Sequence, residues 1–161
     1  MTITLETANQ PDVIALIAEL DAYQDTLYPV EARYALDLTA LCQPNVLFAV
    51  ARSGQGEALG CGAVVLGSEH GEIKRMFVRP AARGQGAARQ IIRTLEQAAF
   101  ERGCRQLMLE TGPYQPEALA FYASEGYSRR GPFGDYPDHP LSVFMGKALL
   151  PAHAHTGNSS H

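Results

Sequence analysis

The first forty residues carry two different periods of apolar side chains, and each period predicts a different element. In residues 2–7 apolar and polar side chains alternate, which is the two-residue period of a strand. In residues 11–27 the apolar side chains return every three or four positions, and Pro11 suits a first helical turn. These patterns predict a short strand followed by a long helix, with a second helix over residues 32–41.

The middle of the chain contains three apolar segments with the composition of strands. Residues 46–51 and 58–66 are rich in Val, Leu, Phe and small residues, and turn-forming residues separate them, so we expect an antiparallel hairpin. Residues 70–78 predict a third strand whose alternation is interrupted, because Ile73 and Met76 cannot share one face of a regular strand. A β-bulge between these two residues would account for the interruption.

The second half of the chain alternates between helical and strand patterns. Residues 87–102 predict an amphipathic helix that ends at a glycine, and residues 104–110 predict the strand that follows it. A further helix is predicted over residues 116–125, and two last strands over residues 127–130 and 141–147. Because a strand, helix and strand in succession favour parallel pairing, whereas the earlier hairpin is antiparallel, the sheet should be mixed.

Length and charge limit the classes of protein to which the chain can belong. The 161 residues suit one domain, which we assign to residues 1–150, and the polar residues 151–161 predict a disordered tail. The tail contains three histidines, but a solvated tail is the more common state of such a segment, and no metal is expected. A formal net charge of -4 argues against a nucleic-acid partner, which requires clustered Lys and Arg.

Neither the cysteines nor the lengths of the apolar runs indicate secretion or membrane insertion. Cys42, Cys61 and Cys104 are odd in number, widely spaced and set among apolar neighbours, so we predict buried thiols rather than disulfides or a zinc site. The chain contains no run of about 18 apolar residues. We therefore expect a cytoplasmic protein with no membrane partner, and the sequence leaves a homodimer open.

The residue types that suit a phosphate ligand are concentrated in one segment, residues 78–88, which reads Val-Arg-Pro-Ala-Ala-Arg-Gly-Gln-Gly-Ala-Ala. The segment joins the third strand to the amphipathic helix, whose first-turn amides would lack backbone partners and point at a common spot. Gly84 and Gly86 let a ligand approach the backbone closely, and Arg83 adds positive charge. The Gly-Lys-Ser/Thr of a P-loop is absent.

This segment resembles the signature of the GNAT superfamily of N-acetyltransferases, which is Arg or Gln, two residues, Gly, one residue, then Gly or Ala. Arg83, Gly86 and Ala88 occupy those positions, after a strand that ends in the family's usual Val-x-Pro. Residues 115–127 resemble the family's last motif, with Gln115 where the family usually has Asn. The resemblance implies an α/β fold of GNAT type, a mixed, twisted sheet of six or seven strands with helices on both faces.

The resemblance also implies acetyl-CoA as co-substrate and assigns residues to it. The implied acetyl-CoA site comprises Met76, Phe77, Val78, Arg83, Gly84, Gln85, Gly86, Ala87, Ala88, Gln115 and Tyr122. In the family the tyrosine at the position of Tyr122 often protonates the departing thiolate, which a phenol can do.

An amine acceptor must lose a proton before it can attack a thioester, and two glutamates are candidates for the general base. Glu72 lies six residues before Val78, at a strand position from which some GNAT enzymes direct a glutamate at the acceptor. Glu110 is the alternative, because it ends the neighbouring predicted strand. A backbone N–H freed by the predicted bulge would polarise the acetyl carbonyl. The sequence does not decide between the two glutamates or a water chain.

Two segments are predicted to bind the acceptor, by analogy with where GNAT folds build the acceptor pocket. Tyr28 and Glu31 follow the first helix, and Phe133 and Tyr136 lie in a long loop between the last two strands that also carries Asp135 and Asp138. Acidic and aromatic side chains attract a small cationic or zwitterionic amine. We therefore expect direct acetyl transfer in a ternary complex. The alternatives are a protein or peptide N-acetyltransferase and a non-catalytic acyl-CoA sensor.

Overall fold

The computed structural model describes residues 1–27 and 38–150, which form one mixed sheet with helices packed on it. The strands are β1 (Thr2–Leu5), β2 (Val46–Arg52), β3 (Ala58–Leu66), β4 (Gly71–Val78), β5 (Gln106–Thr111), β6 (Ser128–Arg130) and β7 (Val143–Ala148). The helices are α1 (Pro11–Leu27), α2 (Leu38–Leu41), α3 (Ala87–Glu101) and α4 (Pro116–Ser124), with a single 3₁₀ turn at Pro80–Ala82.

The seven strands are ordered β1-β2-β3-β4-β5-β7-β6. Every neighbouring pair is antiparallel except β4 and β5, which are parallel and joined by the crossover through α3. The predicted hairpin and the predicted mixed sheet are therefore confirmed. The β4–β5 pairing is short, since it joins residues 71–73 only to residues 107–109 although both strands continue further. Beyond Ile73 and Leu109 the two strands separate, which opens a gap in the middle of the sheet.

The predicted bulge interrupts β4 just past the point where this gap begins. The register with β3 shifts between Cys61 and Ala63, so that Arg75 and Met76 together lie opposite Gly62. Arg75 adopts a φ of 60°, in the left-handed region that only a few per cent of non-glycine residues occupy. The extra residue explains why Ile73 and Met76 break the regular alternation of the strand.

Each face of the sheet has its own hydrophobic core. The first core packs α3 and α4 on one face, and it includes Ile73, Ile91, Ile92, Leu95, Leu107, Leu109 and Tyr122. The second core packs α1 on the opposite face, and it includes Val13, Leu16, Leu20, Phe48, Val50, Cys61 and Phe77. Burial of each large side chain contributes roughly 1.5–3 kcal/mol. Helices on both faces, as predicted, therefore enclose the central gap from two sides.

Several details of the sequence prediction are not reproduced. Cys61 is buried as expected, but Cys42 is exposed just after α2, and Cys104 is only partly buried. Strand β1 ends at Leu5 rather than at residue 7, although the backbone N–H of Glu6 still donates to Phe48 O at 2.9 Å. The predicted tail and most of the second predicted helix lie outside the described residues. Within residues 1–27 and 38–150, no helix has the length and apolar character of a membrane span.

Candidate active site

The turn that enters α3 has an open backbone because glycine occupies its two left-handed positions. Gly84 has a φ of 82° and Gly86 a φ of 80°, a region that L side chains rarely adopt. A Cβ at Gly84 would have no atom within 4 Å. A Cβ at Gly86 would have as its nearest neighbour the side-chain Nε2 of Gln90, 4.0 Å away. The backbone therefore borders a space that a ligand can enter.

The first turn of α3 supplies hydrogen-bond donors to this space. Gly86 is the N-cap residue, and the first backbone hydrogen bond of the helix runs from Gln90 N to Gly86 O at 3.1 Å. The amides of residues 87–89 precede that bond and have no carbonyl one turn back, so they lie at the positive end of the helix dipole. Arg83 Nε donates to Val78 O at 3.1 Å, which holds a guanidinium beside the loop. This arrangement suits a pyrophosphate.

Tyr122 lies on the α3 face of the central gap. Its side chain is 8% exposed, in the core that also contains Ile73 and Leu109, the last paired residues of β4 and β5. Burial raises the pKa of Tyr122, so its phenol stays protonated at neutral pH. Helix α4 is tied to α3 by Glu125, whose buried carboxylate accepts hydrogen bonds from Arg89 at 3.2 Å and Arg93 at 3.1 Å. Tyr122 is thereby held in a fixed position.

The opposite face of the gap carries a cluster of polar side chains from several elements. Glu72 and Lys74 share this face because they are two residues apart on β4. Lys74 Nζ lies 3.2 Å from Glu72 Oε2 and donates to the hydroxyl of Tyr136 at 2.8 Å, and that hydroxyl donates to Glu72. Lys74 was not identified by sequence reasoning, although the two-residue period of the strand places it beside Glu72.

Glu110, a carboxyl on this face, has a pKa near neutral pH. It follows Leu109, where β5 parts from β4, and it lies opposite Phe144 in the β5–β7 register. Burial raises the pKa of Glu110 to about 7, against smaller lowering effects of Ser142 and Lys74, while the charge of Glu72 raises it further. Near pH 7 this carboxyl therefore exchanges readily between its charged and neutral forms.

Ser142 is a polar group at the same face that sequence reasoning missed. Its Oγ is buried and has no hydrogen bond of normal geometry, although a weak contact with the Glu110 carboxyl lowers the pKa of that carboxyl. A buried hydroxyl without a well-aligned partner is uncommon in folded proteins. No sequence signal marked it, because serines are common in connections and Ser142 immediately precedes β7.

The predicted acceptor residues have different surroundings. Phe133 is 6% exposed and packs with Met108 and Phe144, so its ring anchors the loop to the sheet. Tyr136 stacks edge-on against Phe133, with ring centroids 5.2 Å apart, while its hydroxyl reaches the β4 cluster. Asp135 and Asp138, which supported the expectation of a cationic acceptor, are both exposed in the loop. Tyr28 and Glu31 lie outside the described residues.

Three further predicted cofactor residues, Met76, Phe77 and Gln115, lie near the end of β4 and at the start of α4. Phe77 is buried in the core under α1, and Met76 packs its side chain against the first core. Gln115 is the N-cap residue of α4 and makes no side-chain capping bond. In the described part of the chain, no group of three or more His, Cys, Asp or Glu residues is arranged to hold a metal ion.

Comparisons with known proteins agree with this geometry. The sequence profile described as "Acetyltransferase (GNAT) family" matches residues 14–127. The IAA acetyltransferase of Azospirillum brasilense is 45% identical over 151 residues, covering 92% of this chain and 98% of that protein.

Solved structures agree on the fold. A crystal structure assigned as an acyl-CoA N-acyltransferase, from Klebsiella pneumoniae subsp. pneumoniae MGH 78578, is 42% identical with a TM-score of 0.79, covering 92% of this chain and 97% of that chain. An aminoglycoside 6'-N-acetyltransferase complexed with coenzyme A shares only the fold, at 17% identity and a TM-score of 0.71, covering 94% of this chain and 98% of that chain. The profile match and the 45% identical relative together establish that this chain belongs to the GNAT acetyltransferase family.

Proposed function

We propose that this protein transfers an acetyl group from acetyl-CoA to a primary amine of a small molecule. The observation that carries the proposal is the pairing of two half-sites across the gap between β4 and β5. The open glycine turn and the first-turn amides of α3 suit the pyrophosphate of acetyl-CoA, at the start of the helix that covers one face. On the other face Glu110, with a pKa of about 7, can accept a proton from an amine.

The reaction follows from the two half-sites. Glu110 takes a proton from the protonated acceptor amine, directly or through water, and the neutral nitrogen attacks the thioester carbonyl. The carbon–nitrogen bond forms in a tetrahedral intermediate, whose oxyanion accepts a hydrogen bond from a backbone N–H at the Arg75–Met76 bulge. The nitrogen of the intermediate carries one proton more than an amide and releases it to solvent. The carbon–sulfur bond then breaks, and Tyr122 protonates the departing thiolate from the α3 face and regains a proton from water, while Glu110 releases its own proton to solvent. The products are the amide and CoA.

Glu110 suits the role of general base better than Glu72. Glu72 Oε2 lies 3.2 Å from the Lys74 ammonium and accepts a hydrogen bond from the Tyr136 hydroxyl, so two protein partners already occupy this oxygen. Burial instead raises the pKa of Glu110 to about 7, and the charge of Glu72 contributes to that rise. Glu72 therefore acts as a partner of the base.

Direct transfer in a ternary complex agrees with the states of two of the three thiols, those of Cys61 and Cys104. Cys61 is completely buried, and burial raises its pKa to about 12, so it forms little thiolate near pH 7. Cys104 Sγ is within 3.2 Å of the carbonyl of Gln106, to which it donates. Intersecting initial-velocity lines, together with an enzyme mass that acetyl-CoA alone does not change, are the expected results. Parallel lines with an acetylated enzyme would indicate a covalent intermediate instead.

A small acceptor is favoured over a peptide by the cover of the acceptor face. The loop after β6 is fixed over the sheet by buried Phe133 and by the hydrogen bonds of Tyr136 to β4. A long peptide would need a groove past this loop. The aminoglycoside 6'-N-acetyltransferase that shares the fold is named for a small-molecule acceptor.

Mass spectrometry tests the proposal most directly. The protein is incubated with acetyl-CoA and three pools: small primary amines, lysine-containing peptides and peptides with free N-termini. Acetylated small amines are the expected products. Product confined to peptides would support the protein acetyltransferase, and acetyl-CoA binding without any product would support the non-catalytic sensor.

A further inference from the structure

Among the described residues of the acceptor face, Lys74 is a cation fixed next to a carboxylate. Lys74 has a side chain only 14% exposed, and it is held between Tyr136 OH at 2.8 Å and Glu72 Oε2 at 3.2 Å. Continuing the β4–β5 register past Ile73 and Leu109 brings Lys74 level with Glu110, on the same face and across the opening gap. The charge of Lys74 acts on Glu110, since it lowers the pKa of that carboxyl. A fixed positive group and a proton acceptor therefore flank the same opening.

We propose that the acceptor is an amine that also carries a carboxylate, with its amine at Glu110 and Ser142 and its carboxylate at Lys74. The proposal rests on the acetyl transfer proposed above and names the substrate class for that site. It narrows the earlier expectation of a cationic or zwitterionic amine to the zwitterion.

The charges on this face favour the zwitterion. A substrate with a second ammonium would bring that group close to Lys74, at a site with limited solvent to screen the repulsion. A carboxylate would instead join the ammonium of Lys74, which Tyr136 and Glu72 already hold in position, so little side-chain entropy is lost on binding. Asp135 and Asp138, the acidic residues of the adjacent loop, are both exposed to solvent. The preorganised ammonium of Lys74 is thus the group that selects a zwitterionic acceptor.

Ser142 completes the amine end of the site. Its buried Oγ lacks a well-aligned hydrogen bond and lies beside the Glu110 carboxyl. An acceptor amine has N–H groups that can donate both to this hydroxyl oxygen and to the carboxylate. Binding would satisfy a hydroxyl that is otherwise poorly bonded, which is a reason for acceptor affinity at this place.

A series of matched acceptors tests the proposal. Alanine, methionine and phenylalanine are each compared with their α-amides and their decarboxylated amines, by CoA release and by the mass of the product. We expect kcat/KM to be about 10- to 100-fold higher for the acid than for the amide and the amine, as for loss of a charge-assisted hydrogen bond. The amide is the stringent comparison, because its amine has the lower pKa and would react faster if the carboxylate played no part.

Variants of Lys74 test whether this residue causes the preference for the acid over its amide and amine. Lys74→Met should remove the preference for the acid, and Lys74→Arg should retain most of it. Arg130→Met is the matched control, since Arg130 is an exposed cation 5.9 Å from the Phe133 ring and should leave the preference unchanged. If Lys74→Met lowered the rate equally for acids, amides and amines, Lys74 would serve only to neutralise Glu72, and the proposal would be wrong.

The outcomes separate this proposal from the proposed function. Acetylation of amines or amides as fast as the corresponding acids, or of only amines without a carboxylate, would overturn the substrate class while leaving acetyl transfer intact. Acetyl-CoA binding by calorimetry with no product from any amine would overturn the acetyl transfer itself.

Discussion

The two sides of the gap between β4 and β5 are built in different ways. The turn into α3 is one continuous segment, residues 78–88, and it meets its ligand with backbone amides that the glycines leave accessible. The acceptor side is assembled from side chains of β4, β5, β7 and the loop before β7, brought together only by the fold. A backbone site tolerates changes in most side chains, whereas an assembled site changes its ligand when one charge changes.

This difference has a consequence for specificity. The cosubstrate half depends on helix geometry and two positive φ angles, which α3 and its crossover provide. The acceptor half depends on the charges around Glu110, and it is sensitive to single substitutions because Lys74 lowers and Glu72 raises the pKa of that carboxyl. We expect variants on the first side to affect acetyl-CoA binding, and variants on the second to affect acceptor selection and the pH profile.

The largest effect is expected from Gly86→Val. Valine would add strain at a φ of 80° and project into the open space beside the first-turn amides. Acetyl-CoA binding by calorimetry should fall below detection while the protein stays folded by circular dichroism. Gly103→Val is the matched control, because Gly103 follows the C-cap residue of the same helix with a φ of 91°, and a Cβ there would have no atom within 4 Å. If both variants bound acetyl-CoA normally, the assignment of the pyrophosphate to this turn would fail.

The next effect is expected from Glu110→Gln, which should lower kcat/KM by about 100- to 10,000-fold, the usual contribution of a general base. In the wild-type protein kcat/KM should rise with pH through about 7, because Glu110 must lose its proton to act. That acidic limb should disappear in Glu110→Gln. In the wild-type protein the limb should lie at the same pH for two acceptors whose amines differ in pKa.

Glu72→Gln is the comparison for that experiment. Removing the charge of Glu72 removes one influence that raises the Glu110 pKa, so the acidic limb should move to lower pH and remain present. Loss of the limb in Glu72→Gln, with its retention in Glu110→Gln, would transfer the role of base to Glu72.

A smaller effect is expected from Tyr122→Phe on the α3 side. Loss of the phenol should lower kcat by roughly 10- to 1,000-fold with little change in acetyl-CoA affinity, since the hydroxyl acts on the departing thiolate. Tyr127→Phe is the control, because that ring lies 5.8 Å from Tyr122 and its hydroxyl donates to Glu96. Tyr127→Phe should lower stability and leave kcat nearly unchanged. Equal kcat in Tyr122→Phe and wild type would make Tyr122 a core residue only.

Most of the fold could be predicted from the sequence because its signals are local. The stripe of Ile91, Ile92 and Leu95 predicted α3, and the interrupted alternation around Ile73 and Met76 predicted the bulge. The glycine turn was also predictable, since positive φ angles and an N-terminal helical turn require a particular run of residues. Strand ends were less certain, since β1 ends at Leu5 and not at residue 7.

The acceptor side could be predicted only in part because its contacts join distant positions. Lys74 donates a hydrogen bond to Tyr136, 62 residues away, and no pattern in either segment predicts the contact. Ser142 became a candidate only when β5 and β7 were paired and its hydroxyl was found buried. The prediction that Cys42 is buried was wrong because apolar neighbours in sequence do not guarantee that a helix end faces the core.

The smallest effect is expected at the far edge of the sheet, where charges are structural. Arg52 on β2 bonds Glu6 at 2.7 Å and Asp12 at 2.7 Å, and the hydrogen bond with Arg52 is the main reason why the pKa of Glu6 falls to about 2. The folded pKa lies below the unfolded value, so the stabilisation is complete above about pH 4.5 and is lost as the pH falls towards 2.

Glu6→Gln should therefore lower the free energy of unfolding by about 1–2 kcal/mol at pH 7, a figure reduced for partial exposure to solvent. The difference from wild type should shrink in urea titrations at pH 4 and 3, because the wild-type carboxyl then becomes protonated in the unfolded state first. Glu57→Gln, at an exposed position just before β3, is the matched control and should change little. Neither variant should alter kcat/KM or its acidic limb, since the edge lies away from the gap. A change in the acidic limb of Glu6→Gln would mean that charge at the sheet edge reaches Glu110, and the separation between structural and functional charges would then be wrong.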